Sequence, residues 1–148
     1  MSSRRVAWVA IALVGVTIGS VCLHEASAQR RAGDVGLLAR VVAAEAEGEP
    51  YQGMVAVAAV LLNRVESAKF PNTINGVVFQ PQAFESVSNG LIWQRSPSQQ
   101  AISAARDAVN GMDPTYGCLF FWNPSKPVSR WMWSRSITTR IGKHVFAR

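Results

Sequence analysis

Residues 44–65 read AEAEGEPYQGMVAVAAVLLNRV, and this stretch predicts two helices joined by an acidic corner. Gly48 and Pro50 separate the helices, because glycine is favoured just past a helix end and proline at a first helical position. The second helix, predicted from about residue 50 to residue 67, is apolar on every face between Met54 and Leu62. A helix of that composition is expected to be central and buried.

Glu45 stands out among the three carboxylates of this corner. The first helix is predicted over residues 34–46 with Asp34 as its cap. Glu45 lies on the apolar stripe of that helix, four residues after Val41 and three after Val42. Carboxylates are rarely buried without a partner or a purpose, and the last turn of a helix disfavours a negative charge by about 0.3–1 kcal/mol. Both effects favour the protonated form, which is the form that a general acid needs.

The other two carboxylates of the corner have simpler explanations. Glu47 lies off the apolar stripe, where a solvated helix connection is the ordinary explanation of an acidic cluster. Glu49 immediately precedes the second helix, whose positive dipole end favours an ionised carboxylate. The sequence therefore ranks Glu45 first as the catalytic acid and Glu49 second.

The rest of the chain predicts an α+β fold, with helices first and a small aromatic-rich antiparallel sheet after them. A helical turn is expected over residues 73–78, and a third long helix over residues 98–110. Short strands are expected at residues 85–87, 116–122, 131–134 and 141–146. In such a strand, Trp131 and Trp133 would share one face.

Residues 1–28 have the pattern of an export signal. The basic pair Arg4-Arg5 precedes an uncharged stretch over residues 6–23, and Ala26-Ser27-Ala28 is a small-x-small cleavage pattern. An uncleaved membrane anchor is the alternative, since the apolar stretch approaches the length of a spanning helix. We expect cleavage, one catalytic domain at residues 29–148, no stable membrane span after processing, and a location in the periplasm, the cell envelope or the medium.

The charge and the metal-binding residue types restrict the partners. The formal net charge is +6, and removal of Arg4, Arg5 and Glu25 with the export signal would leave +5. Such a charge suits an anionic polymer, but the basic residues are scattered and export argues against nucleic acid. After residue 28 the sequence holds one histidine, His144, and one cysteine, Cys118. We therefore expect no metal, no cofactor and no nucleic acid, and we expect a monomer. A membrane surface and the cell wall remain as anionic partners.

A longer series of motifs resembles the cell-wall hydrolase family typified by the catalytic domain of spore-cortex-lytic enzymes. The motifs that carry the resemblance run in order from about residue 37 onward: Leu38-Ala39-Arg40, Ala44 to Tyr51, Val55 to Val65, Phe70-Pro71, Gln80-Pro81, Ala83-Phe84, Ala108 to Gly111, Asn123-Pro124, Trp133 to Arg135 and His144 to Phe146. The resemblance implies a lysozyme-like fold with a cleft between a helical part and a small sheet. It also implies cleavage of the glycosidic bond between N-acetylmuramic acid and N-acetylglucosamine in peptidoglycan, with Glu45 as the catalytic residue.

Three functions remain open at this point. A lytic transglycosylase needs one acid/base, because the muramic 6-hydroxyl is an internal nucleophile and leaves a 1,6-anhydromuramic end. A hydrolytic muramidase usually needs a second carboxylate, for which the candidates are Glu85, Asp107 and Asp113, with Glu85 the strongest. A non-catalytic cell-wall-binding protein would explain the charge and the aromatics but not the position of Glu45. The resemblance favours the transglycosylase.

The sugar contacts are expected from aromatic and polar side chains. The predicted substrate-binding residues are Glu49, Tyr51, Gln80, Phe84, Asn123 and Trp131. For Gln80 and Asn123 the alternative is a turn-stabilising role, and for Phe84 the alternative is a place in the core.

Overall fold

The computed structural model describes residue 25 and residues 27–148. The predicted export signal, apart from residues 25, 27 and 28, therefore lies outside the described residues. The chain divides into a first unit, Met1–Gly33, and a second unit, Asp34–Arg148, which contains the fold described below. Across the part of the chain that the structure describes, no helix has both the length and the apolar character required to cross a bilayer.

The second unit consists of helices followed by a small sheet, which confirms the predicted α+β class. Its elements are α1 (residues 34–45), α2 (Tyr51–Glu66), α3 (Ile74–Val78), α4 (Glu85–Ser88), α5 (Leu91–Gln94), α6 (Gln99–Val109), β1 (Phe120–Trp122), α7 (Arg130–Trp133), β2 (Ile137–Ile141) and β3 (His144–Ala147).

Helix α2 is the central element, as its apolar sequence predicts. Every residue from Val55 to Leu61 is buried, and the helix packs against α6 and α3 and also contacts β1 and β2. Leu38, Val41 and Val42 of α1 join α2 in one hydrophobic core. Because α2 is covered on all sides, the elements around it are held in fixed positions relative to one another.

The ends of the helices follow local chemistry. Gly48 has φ +74° at the corner between α1 and α2, and Pro50 is the N-cap of α2, one residue before the helix. The hydroxyls of Thr73 and Ser98 accept hydrogen bonds from the backbone N–H groups three residues on, at the starts of α3 and α6. Asp34 is not a cap, because residues 27–33 are also helical.

The sheet has the order β1-β3-β2, and both pairings are antiparallel. Its central strand β3 is buried along its whole length, and Phe121 pairs with Phe146 while Ile141 pairs with His144. The strand predicted over residues 141–146 is interrupted at residues 142–143, where Gly142 adopts φ +58° in the turn between β2 and β3. Ile141 ends β2, and residues 144–146 lie in β3. The strand predicted over residues 116–122 is shorter, since Tyr116 has φ +59°.

Two of the predicted strands are helical turns. Residues 85–87 belong to α4, which begins after the buried, extended Phe84. Residues 131–133 belong to α7, because the hydroxyl of Ser129 accepts a hydrogen bond from Met132 N and caps a helical turn. The predicted shared face of Trp131 and Trp133 is therefore wrong: Trp131 packs against Phe120, and Trp133 packs against Trp122.

Asp113 fixes the segment that leads from the helices to the sheet. Its carboxylate accepts hydrogen bonds from the backbone and hydroxyl of Thr115, from Gly117 N and from Asn63 Nδ2 on α2, at 2.6–3.0 Å. Burial alone would raise the pKa of Asp113, but these hydrogen bonds outweigh it and hold the pKa below its usual value. Asp113 is thus a structural residue, as its turn sequence suggested.

Replacing Asp113 with Ala is expected to lower the free energy of unfolding by about 2 kcal/mol, because several charge-assisted hydrogen bonds disappear. The Asn variant keeps the shape and loses the charge. Since a lowered pKa stabilises the folded state above the unfolded pKa, the difference between wild type and Asp113→Asn should shrink as the pH falls below about 4. Urea unfolding at a series of pH values measures this, and a difference that grows on acidification would contradict it.

Candidate active site

A cleft of about 360 Å³ lies between the helices and the sheet. Its floor and walls come from elements that are distant in sequence: the end of α1, the last turn of α2 and the loop after it, the loop after α3, the start of α4, β1 and α7. The lining residues are Glu45, Arg64, Phe70, Gln80, Pro81, Gln82, Ala83, Phe84, Glu85, Phe120, Phe121, Trp131 and Met132. The cleft therefore combines two carboxylates and one cation with many aromatic rings.

Glu45 is the last residue of α1 and is partly buried. The α1 stripe of Val41 and Val42 is fully packed in the core, and this fixes the direction in which Glu45 leaves the helix. The buried Ser86 of α4 donates a hydrogen bond from its hydroxyl to Glu45 Oε1, at 2.5 Å. One carboxylate oxygen is thus held by a neutral donor, and the carboxyl group faces the cleft.

Arg64 is a cleft residue that the sequence reasoning missed. It is 8% exposed, and its Nε donates a hydrogen bond to the carbonyl of Leu119, at 2.7 Å. The guanidinium lies 5.1–5.7 Å from the centroids of three rings, those of Phe70, Phe84 and Phe120. Burial lowers the pKa of Arg64 to about 10, so it stays charged at neutral pH. The signal was available, since a lone arginine near the end of an otherwise apolar helix requires a partner.

Aromatic rings form the wall of the cleft on the sheet side. Phe84 stacks on Phe121 with 6.3 Å between ring centroids, and Phe120 meets the edge of Trp131 at 5.2 Å. Trp131 is 52% exposed, and the guanidinium of Arg135 lies 4.4 Å from its ring centroid. Of the predicted sugar contacts, Gln80, Phe84 and Trp131 are brought to the cleft beside Glu45.

Glu49 lies outside the cleft lining and is 7% exposed. Its Oε2 accepts a hydrogen bond from Lys143 N at 2.9 Å and lies 3.8 Å from His144 Nδ1. A Cβ on Gly142 would overlap this carboxylate and come within 2.8 Å of Pro50 Cδ. Glu49 thus joins the helical corner to the β2–β3 turn, and the contact requires glycine at residue 142.

His144 lies on the other side of Glu49. Its ring packs against Phe121, with 5.5 Å between centroids. Burial lowers the pKa of His144, while the carboxylates of Glu49 and Glu45 act to raise it. The net effect is a lowered pKa of His144, which favours the neutral imidazole at neutral pH.

Two other predicted sugar contacts, Tyr51 and Asn123, lie outside the cleft lining. The hydroxyl of Tyr51 donates a hydrogen bond to Asp107 Oδ2 at 2.5 Å, which joins the start of α2 to α6. Asn123 Oδ1 accepts a hydrogen bond from Ser125 N at 2.9 Å. That contact is the turn-stabilising role considered as the alternative for Asn123.

The other candidate carboxylates differ in where they lie relative to the cleft. Glu85 lines the cleft, whereas Asp107 and Asp113 are engaged with Tyr51 and with the turn after α6. Glu47 is exposed and forms an ion pair with Arg95, as expected for a solvated corner residue. Among the described residues, no group of three or more His, Cys, Asp or Glu side chains could hold a metal ion.

The chain matches a known protein family. The family described as Cell Wall Hydrolase matches residues 48–147, about two thirds of the chain. The chain belongs to the cell wall hydrolase family. The matched region begins three residues after Glu45, so it contains Glu49 and most of the cleft residues but not Glu45.

Individual relatives agree with this family. The chain is 50% identical over 115 residues to a spore cortex-lytic enzyme of Bacillus cereus. The aligned region covers 78% of this chain and 44% of that relative. It is 35% identical over 120 residues to the cell wall hydrolase CwlJ of Bacillus subtilis, of which it covers 83%. The chain thus spans less than half the length of the spore cortex-lytic enzymes it matches.

Two solved structures share the fold of this cell wall hydrolase. One is the catalytic domain of the Bacillus cereus SleB protein, at 50% identity with a TM-score of 0.72, covering 78% of this chain and 89% of that one. The other is the catalytic domain of the germination-specific lytic transglycosylase SleB from Bacillus anthracis, at 49% identity with a TM-score of 0.73, covering 78% and 93%. They confirm the predicted lysozyme-like α+β fold.

Glu49→Ala is expected to lower the free energy of unfolding by about 1–3 kcal/mol, because the Lys143 N–H loses its hydrogen bond to a buried carboxylate. Glu49→Gln retains a carbonyl oxygen in the same place, so its free energy of unfolding should fall by less than half of that amount. Thermal or urea unfolding of both variants measures the difference. Equal stability of Glu49→Ala and wild type would show that Glu49 does not brace the hairpin.

Proposed function

We propose that this cell wall hydrolase cleaves the bond between N-acetylmuramic acid and N-acetylglucosamine in peptidoglycan, as a lytic transglycosylase with Glu45 as its acid/base. The observation that carries the proposal is the carboxyl group of Glu45, which accepts a hydrogen bond from Ser86 and faces a cleft with aromatic walls. The name of the Bacillus anthracis relative, a germination-specific lytic transglycosylase, supports the same reaction class.

The geometry is suited to protonating a leaving oxygen. Glu45 is the last residue of α1, and Ser86 donates a hydrogen bond to only one of its two carboxyl oxygens. The other oxygen is then available for a proton that passes to the glycosidic oxygen as the bond breaks. The same carboxylate, now ionised, accepts the proton of the muramic 6-hydroxyl as that oxygen attacks the anomeric carbon. The product is a 1,6-anhydromuramic end, and no water is consumed.

The remaining cleft residues are suited to holding the glycan. Trp131 offers apolar ring surface to the C–H groups of a sugar ring, and Gln80 can hydrogen-bond an acetamido or hydroxyl group. Phe84 is buried and supports the wall of the cleft from behind. Arg64 places a positive charge in the same cleft. Such a charge suits the carboxylates that peptidoglycan carries on its peptide stems.

A hydrolytic muramidase is the second candidate, because Glu85 lines the same cleft as Glu45. In that mechanism Glu85 would activate a water molecule or stabilise the sugar cation while Glu45 protonates the leaving group. The two mechanisms differ in what Glu85 contributes and in the chemistry of the product end.

We also propose that the protein acts outside the cytoplasmic membrane, where peptidoglycan lies. The basic pair, apolar stretch and Ala26-Ser27-Ala28 pattern of residues 1–28 support export with cleavage. Mass spectrometry of the protein recovered from an exporting host tests this, since a mature chain beginning at Gln29 is expected.

Glu45→Gln is expected to reduce cleavage of purified peptidoglycan at least about 100-fold, because the amide cannot donate a proton to the leaving oxygen. Glu47→Gln is the matched control, since it removes a carboxylate two residues away that pairs with Arg95 at the surface. Glu85→Gln separates the two mechanisms. Products are read by mass spectrometry after digestion.

Anhydromuramic ends, with activity largely retained in Glu85→Gln, are the result expected for the transglycosylase. Reducing ends together with loss of activity in Glu85→Gln would identify a hydrolase. If wild type and Glu45→Gln both leave the peptidoglycan intact, the protein binds the wall without cleaving it.

A further inference from the structure

Two large aromatic side chains outside the cleft form an exposed pair. Phe79 is 46% exposed and Trp93 is 58% exposed. Their rings are nearly parallel, with an interplanar angle of 12° and 6.2 Å between centroids. Exposed apolar side chains that lie together are a feature of binding surfaces rather than of an ordinary solvated face.

The pair is held in place by the helices beneath it. The guanidinium of Arg40 on α1 lies 5.4 Å from the centroid of the Trp93 ring, a cation–π contact. Trp131 in the cleft has the same arrangement, with Arg135 over its ring and Phe120 against its edge. In both cases an arginine and a phenylalanine orient a tryptophan that remains more than half exposed.

The pair is next to the cleft through the backbone of Phe79. Phe79 immediately precedes Gln80, which lines the cleft. Trp93 lies on α5, which follows α4, the helix that carries Glu85 and Ser86. Arg40 is five residues before Glu45 on α1, which is about 7.5 Å along a helix axis. A polymer that passes Glu45 can therefore reach the pair within a few sugar units.

We propose that Phe79 and Trp93 form a further sugar-binding subsite, which stacks on a pyranose ring of the same glycan strand whose bond is cleaved at Glu45. The inference rests on the proposed function, because it assigns the occupant of the pair to that substrate. A pyranose ring presents a face of C–H groups, whose partial positive charge matches the negative face of an aromatic ring. The subsite adds affinity for long strands and takes no part in the bond cleavage.

The test compares substrates of different length. Trp93→Ala and Phe79→Ala are assayed on long peptide-free glycan strands and on the shortest muramyl oligosaccharide that wild type cleaves. We expect each substitution to raise KM for long strands about tenfold, the loss of one stacked ring, with kcat unchanged. KM and kcat for the short substrate should equal those of wild type. Tyr116→Ala, which removes an exposed aromatic outside the cleft lining, is the matched control.

Three results would overturn the subsite. Unchanged KM for long strands in both variants means that the pair does not contact the glycan. An equal loss on long and short substrates, or a lower melting temperature in both variants, means that the pair only supports the fold around Glu45. A loss of the same size in Tyr116→Ala means that the effect is not specific to this surface.

A binding measurement separates failure of the subsite from failure of the proposed function. Long and short peptide-free glycan strands are titrated into Glu45→Gln, with and without Trp93→Ala, by calorimetry. Weaker binding of the long strands alone supports the subsite even if the wild type cleaves nothing. Equal binding with and without Trp93 overturns it, whatever the activity of the wild type.

Discussion

The hydrogen bond from Lys143 N to Glu49 Oε2, 2.9 Å long, joins the two halves of this domain. Glu49 stands at the corner between α1 and α2, and Lys143 stands in the turn of the hairpin, 94 residues later in the chain. The corner also carries Glu45, and the hairpin carries β3, on which β1 and its phenylalanines are aligned. The distance between the helical corner and the hairpin therefore depends on the buried carboxylate of Glu49 and on the absence of a side chain at Gly142.

A second connection runs through Arg64. Its guanidinium is in contact with three phenylalanine rings from different segments, and its Nε binds the carbonyl just before β1. A charged group this far buried is stable only because these contacts replace water. The result is a rigid cleft whose walls are apolar and whose floor carries both a cation and a carboxyl group.

The two glutamates of the corner have divided roles for a physical reason. Glu49 is surrounded by protein and meets a backbone donor, so its charge serves the fold. Glu45 accepts a hydrogen bond from one neutral hydroxyl and lines the cleft, and this geometry supports its proposed role as the acid/base. Only four residues separate the two glutamates, but their surroundings differ because α1 ends at Glu45. The chain then turns at Gly48, which has a left-handed backbone conformation.

The sequence by itself determined the elements that local chemistry controls. The apolar run of α2, the capped starts of α3 and α6, and the position of Glu45 on the α1 stripe are all consequences of residue type and spacing along a helix. The order of helices before sheet could also be predicted, and so could the exposed state of Glu47. Contacts between distant segments could not be predicted. The hydrogen bond between Glu49 and Lys143, the one between Ser86 and Glu45, and the contact of Arg64 with Phe120 all join segments more than 30 residues apart. For short aromatic segments such as residues 130–133 the predicted strand is wrong, because four residues carry little periodicity. The Ser129 cap and the different packing partners of the two tryptophans favour a helical turn there.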